Sequence, residues 1–356
     1  MAQSQTTLGT KSTGDPAPTP SEINNLNGTI NDNATDAQSR IVQLEQTDVS
    51  AISSYAISNL PSTIANGTVA FNTDQQVPVY HKDGNWFKLS DNKALVDQND
   101  LDVFLVLGQS NAEGFSLWSN LAPALQSADR ATNLMYLATL DVDLVTWLAG
   151  TWEQMNPPTN TSWQVADGFG PEVGFADTVK ALVDGASSST YQKRVAMVKF
   201  AKGGTNLDDD WDKTLNGYMY SGWQSTLSDF QTKLTNEGYT YTIRGVIWFQ
   251  GEADAANATD ASEYEANLNA FIADVRTDVG NPTLPWVIAK IKFGTPPAYE
   301  TQVRTAQQNV ADADANVTIL DAANYTFKDN VHLDAAGKYQ YGIDCVTAME
   351  NAINGV

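Results

Sequence analysis

Histidine, cysteine and basic charge are scarce in this chain. Its 356 residues include two histidines, His81 and His332, and one cysteine, against nine tryptophans. One thiol can neither close an intramolecular disulfide nor build a multi-thiolate zinc site, and two histidines cannot make a histidine-rich metal centre. Twenty Lys and Arg face 42 Asp and Glu, a net charge of −22. Such a surface repels phosphate backbones and anionic lipid, which argues against nucleic acid and membranes as partners. No run approaches the roughly 18–20 apolar residues of a membrane span. The opening MAQSQTTLGTKSTGDPAP lacks the apolar core of a secretory signal, so neither a signal peptide nor a transmembrane segment is expected.

Texture divides the chain near residue 100. The first hundred residues hold only Trp86, while the other eight tryptophans follow. Residues 1–20, with three prolines and no apolar period, are expected to be an irregular arm. Over 21–60, Ile23, Ile30, Ala34, Ala37, Ile41, Leu44 and Ala51 recur at 4/3 spacing, a helical seam that Asn27, Gly28 and Asp48 weaken. It suits either a surface helix on the main domain or a parallel coiled coil, and the coiled coil, a homotrimeric stalk, is the preferred reading. Residues 61–99 read as a small β-hairpin module and joint. There Val69, Phe71, Val77, Val79, Trp86 and Leu89 suggest short strands around a tight Asp83-Gly84 turn, with His81 a solvated hairpin residue.

From residue 100 to 356 strand-like and helix-like segments alternate. Strands are predicted at Asp102–Leu107, Val195–Phe200, Ile243–Phe249, Trp286–Ile291 and Val317–Leu320. Amphipathic helices fall at about Glu172–Val183, Trp223–Asn236, Ser262–Val279, Glu300–Ala311 and Ala335–Asn351. This alternation predicts a parallel sheet covered on both faces, with chemistry at the carboxyl ends of its strands.

Four polar blocks occupy those ends. The first strand runs into Gly108-Gln109-Ser110-Asn111, where a small residue before serine allows a sharp turn and an exposed main-chain N–H. The second leads to Lys202-Gly203-Gly204-Thr205, the third to Gln250-Gly251-Glu252, and Asp329-Asn330-Val331-His332 precedes the last helix. Serine needs a base to become a nucleophile at neutral pH, and His332 is the one credible candidate. A carboxylate three residues earlier can hold the other imidazole nitrogen.

In order and content these blocks resemble the SGNH-hydrolase superfamily, in its sialate O-acetylesterase and acetylxylan-esterase branch with the GQSN motif. Gly170-Pro171-Glu172 with Phe175-Ala176 adds to the match, and Ala112 departs from it where many relatives carry Met. The resemblance implies a flavodoxin-like three-layer α/β sandwich around a five-stranded parallel sheet. It implies Ser110 as nucleophile, His332 as base and acid, and Asp329 as the orienting carboxylate. Its oxyanion hole would combine the N–H of Ser110, that of Gly204 in preference to Gly203, and the Gln250 side-chain amide. Gln109, Asn111, Gly203 and Glu252 would brace the loops or contact substrate.

The expected activity is a cofactor-free and metal-free serine carboxylic-ester hydrolysis that removes acetyl groups from a glycan. Asp208-Asp209-Asp210 is read as a solvated turn rather than a calcium site. Tryptophans 118, 147, 152, 163 and 211 are candidates for stacking on sugar rings. The hairpin and stalk loosely resemble modules of bacteriophage tail fibres. The whole is therefore expected to be an extracellular or virion-associated enzyme on a trimeric stalk formed by 21–60, with other virion tail proteins as further partners. The alternatives are a non-catalytic fibre protein with a glycan-binding head, and a secreted bacterial esterase.

Overall fold

The computed structural model describes residues 54–55, 69–72, 77–82, 85–88, 100–128, 130, 133–140, 147–148, 150–184, 191 and 193–355. The chain divides into two compact units, one of residues 1–98 with 184–186, the other of 99–183 and 187–356. The arm at 1–20 and the apolar seam from Ile23 to Ala51 lie outside the described residues.

In the smaller unit four short strands form one sheet. Val77–Lys82 and Asn85–Lys88 pair antiparallel, with Lys82 opposite Asn85 across the expected Asp83-Gly84 turn. Ser54–Tyr55 fall in the span read as helical, yet they form a strand parallel to Phe71-Asn72. Serine and tyrosine have no strong helix preference, and pairing with a neighbouring strand decides their conformation.

The larger unit is built on a seven-stranded sheet. Its strands are β1 (Asp100–Gly108), β2 (Leu134–Leu137), β3 (Trp152–Gln154), β4 (Arg194–Ala201), β5 (Thr240–Phe249), β6 (Trp286–Lys290) and β7 (Val317–Asp321), in the order β3-β2-β4-β1-β5-β6-β7. All neighbours are parallel except β3, which runs antiparallel to β2 at one edge. The five expected strands are present in flavodoxin-like order, second-first-third-fourth-fifth. The expected count of five is corrected to seven, because β2 and β3 extend the edge beyond β4. At four and three residues they are too short to show a period.

Helices cover both faces. Strand β1 is buried along almost its whole length, and its side chains alternate between two apolar layers. Leu105 and Leu107 meet α3 (Tyr218–Asn236), α4 (Ala258–Val279) and α5 (Glu300–Ala313) through Trp223, Phe271 and Val303. Phe104 and Val106 meet α2 (Glu172–Asp184) and α6 (Ala335–Asn354) through Phe175, Tyr341 and Cys345. Chain connections diverge from β1 toward β4 on one side and β5 on the other, which opens a crevice at its carboxyl end.

Candidate active site

The turn after β1 is dictated by a glycine. Gly108 has φ +137°, and a Cβ there would lie 2.2 Å from the Phe249 carbonyl oxygen of β5. Only glycine lets the chain pass so close. The Gln109 N–H then donates to that same carbonyl at 2.9 Å, and the four-residue helix α1 (Ser110–Glu113) begins with Ser110 at the crevice.

His332 lies on the loop between β7 and α6. The Asp334 side chain caps α6 by accepting the Gly337 N–H at 2.7 Å, so the helix begins just past the histidine. Asp329 folds the loop into an Asx turn: Oδ1 accepts the N–H groups of Val331 and His332 at 2.9 and 2.8 Å. Its Oδ2 is 2.9 Å from His332 Nδ1, and His332 Nε2 is 3.0 Å from Ser110 Oγ. Asn330 ties this loop to the one after β6, with its carbonyl accepting from Gly294 N at 2.9 Å.

Two features set the electrostatics. Burial pushes the imidazole below its ordinary value of 6.5, and the Asp329 hydrogen bond and charge oppose this only in part. Burial also pushes the Asp329 carboxyl up, but the His332 and Val331 N–H groups and the imidazole outweigh it, and it sits below its ordinary value. At neutral pH the pair is thus a neutral imidazole oriented by a carboxylate, with Nδ1–H donating and Nε2 free to accept the serine proton. Phe115, unremarked in the sequence, stacks on the imidazole at 5.0 Å between ring centroids and 15° between planes.

The two glycines at the end of β4 are not equivalent. Gly203 donates its N–H to Gln164 Oε1 at 2.9 Å, whereas among the described residues no acceptor takes the N–H of Gly204 or of Ser110. Gly204 has φ +78°, and a Cβ there would meet nothing within 4 Å, so it faces open space. Gln250 departs from expectation. Its side chain is fully buried, and Nε2 donates to the Thr205 carbonyl at 2.9 Å and to Asp254 Oδ2 at 2.5 Å. With both amide hydrogens taken, Gln250 clamps the 205 and 254 turns together and has no donor left for an oxyanion.

The remaining motif residues brace the loops. Gln109 Oε1 accepts from Ala253 N at 3.3 Å, and Asn111 joins three elements. Asn111 Nδ2 donates to Glu252 Oε1 at 2.9 Å and to the Val331 carbonyl at 3.0 Å, and Oδ1 accepts the Leu333 N–H at 3.2 Å. Serine-bearing and histidine-bearing segments are thereby pinned on either side of His332. Ala112 is fully buried in the core.

Among the described residues no group of three His, Cys, Asp or Glu side chains is placed to hold a metal ion. The Asp208-Asp210 run forms a turn in which Asn206 Oδ1 accepts the N–H groups of Asp209 and Asp210, both at 3.1 Å. Of the tryptophans weighed for sugar stacking, Trp211 is core, edge-on to Trp248 and Phe271. Trp118 is also buried, and Trp152 packs edge-on to Phe230. Trp163 is half-buried, bonded through Nε1 to the carbonyl at the end of β4 and through its main-chain N–H to Glu113 of α1.

The mostly parallel sheet thus brings Ser110, His332 and Asp329 together at its carboxyl edge, an arrangement compatible with a serine hydrolase. Residues 100–351 match the carbohydrate esterase family of sialic acid-specific acetylesterases, and the chain belongs to that family. A probable carbohydrate esterase of Arabidopsis thaliana is 28% identical over 262 residues, covering 69% of this chain and 89% of that protein. The crystal structure of that plant protein superposes with a TM-score of 0.54 at 24% identity, over 71% of this chain and 98% of its own. A carbohydrate acetylesterase from Xanthomonas citri gives a TM-score of 0.51 at 18% identity, over 79% and 61%. No helix among the described residues is long and apolar enough to cross a membrane.

Proposed function

We propose that the chain removes acetyl groups from an O-acetylated carbohydrate by a two-step serine mechanism. His332 Nε2 takes the Ser110 hydroxyl proton as Oγ attacks the ester carbonyl carbon. The oxyanion forms against the main-chain N–H groups of Ser110 and Gly204, and Asp329 stabilises the imidazolium. Collapse breaks the ester C–O bond, and the imidazolium returns its proton to the departing sugar hydroxyl. Water, deprotonated by His332, then attacks the acetyl-serine, and acetate leaves as Ser110 regains its proton.

The observation that carries this reading is the continuous contact from Asp329 through His332 to Ser110, with the unengaged Gly204 N–H on the turn after β4, the strand paired with β1. The Asp329 side chain is 46% exposed and His332 21%, so the triad lies at an open edge that a polymer can approach. The family assignment supports acetylated carbohydrate as substrate. A complete Ser-His-Asp set disfavours the alternative of a non-catalytic glycan-binding head.

Acetate release from a chromogenic acetate ester and from acetylated xylan tests it. Ser110→Ala is expected to lower kcat about a million-fold, the size of loss seen when a triad serine is removed. Equal rates for the two proteins overturn the reading. Carriage of this head on a trimeric virion stalk rests on the apolar seam at 21–60 and on the hairpin at 61–99, which loosely resemble tail-fibre modules. A monomeric mass for the full chain in sedimentation would reject it.

A further inference from the structure

The buried groups around α1 include a carboxylate that the mechanism does not use. Glu113, three residues after the nucleophile, is fully buried. Its Oε1 accepts from Ser162 Oγ at 2.7 Å, Trp163 N at 2.9 Å and Gln164 N at 3.0 Å. Lys199 ties the same segment down, donating to the Glu113 carbonyl at 2.9 Å and to the Thr161 carbonyl. Residues 161–164 are therefore fastened to the helix that carries Ser110.

From this anchored segment Gln164 reaches the oxyanion turn. Its Oε1 accepts the Gly203 N–H at 2.9 Å, while Thr205 Oγ1 donates to the Lys202 carbonyl at 3.0 Å. The 202–203 peptide is thus gripped at both its N–H and its C=O. The next peptide carries the Gly204 N–H. Two adjacent glycines left to themselves would sample many orientations of that group, because neither has a Cβ to restrict φ.

We propose that Gln164 is a positioning residue for the oxyanion hole: by holding the Gly203 N–H it orients the Gly204 N–H toward the acyl carbonyl oxygen. Glu113 makes the arrangement rigid, since the nucleophile and the hydrogen-bond acceptor for the turn share one anchor. The inference rests on the role given to Gly204 above, and it adds a specific residue on a loop far from the four motif blocks.

Gln164 is exposed, so its replacement removes a contact without opening the core. In Gln164→Leu, and in Gln164→Ala as a second variant free of added bulk, kcat for the chromogenic ester is expected to fall about 10- to 100-fold with KM nearly unchanged. A displaced oxyanion donor acts on the transition state and not on the bound ester. The inhibition constant of an aryl boronic acid, which forms a tetrahedral adduct with the serine, should rise by a similar factor, and the thermal midpoint should stay near that of the wild type. Unchanged kcat and boronate affinity, or a rise in KM alone, would overturn the proposal. So would a loss of activity that merely tracks a lowered thermal midpoint. Wild type measured beside Ser110→Ala separates this from failure of the esterase reading, which would leave no activity difference between those two proteins.

Discussion

Two lysines are fully buried beside α1, and they are held in opposite ways. Lys199, from β4, lies 2.7 Å from Glu172 Oε2 and also donates to main-chain carbonyls. Lys338, from α6, grips neutral atoms: Asn111 O at 2.5 Å and Asn111 Oδ1 at 2.8 Å, with the Phe249 ring 4.8 Å away. The larger anionic influence on it, Glu252, is hydrogen-bonded to the Asn111 amide, and Glu172 adds a smaller one. Burial pushes the Lys338 amine down to about 7, and burial likewise raises the Glu252 carboxyl. A cation paired at contact serves as a strut. One compensated at a distance is half-way to releasing its proton, and it holds Asn111, the residue next to Ser110.

Removing the amines should separate the two arrangements. Lys199→Met leaves Glu172 buried without its counterion and frees the 161–164 segment, and breaking such a pair costs about 3–5 kcal/mol. Lys338→Met leaves two neutral acceptors on Asn111 short of a donor, for which about 1–3 kcal/mol is expected. Urea unfolding of both variants checks the order. A Lys338 variant as damaged as the Lys199 variant would break the comparison, because it would mean that Lys338 is charged and tightly paired in the folded protein.

Much of this architecture is legible in the sequence, and the exceptions share a physical cause. Strands β1, β4, β5, β6 and β7 and the five long helices carry their period over enough residues to be read directly. Ser110, Asp329 and His332 stand out because their types suit one chemistry and each follows a strand. Even Lys199 leaves a trace, as a charge inside the apolar run Ala196-Met-Val-Lys-Phe200. Gln250 is different. Whether its amide faces substrate or structure depends on Thr205 and Asp254, and no spacing encodes that a carbonyl 45 residues away will take its hydrogen. Gln164 and Phe115 are equally silent, because their partners, Gly203 and His332, come from distant segments. Motif reading finds the groups that do chemistry more readily than those that aim them.

The smallest expected effect probes the same contrast through His332, the proposed base. The free enzyme needs a neutral imidazole, so kcat/KM should fall as the pH drops through the pKa of His332, on an acid limb below the ordinary histidine value of 6.5. Burial of the ring is the main cause of that lowering, and the positive charges of Lys328 and Lys338 add to it. In this acid range Lys338, with its value of about 7, carries its proton and its charge is present. Lys338→Met should therefore move the acid limb to higher pH, since one cation that disfavours the imidazolium is gone. Lys199 is not among the leading charges on His332, and Lys199→Met should move the limb less than Lys338→Met even where it lowers stability more. Rate profiles of the two variants between pH 4 and 8, recorded below their unfolding temperatures, check this. Equal displacement in both would mean that the shift reports loosened packing around the ring and not the charge of one buried amine.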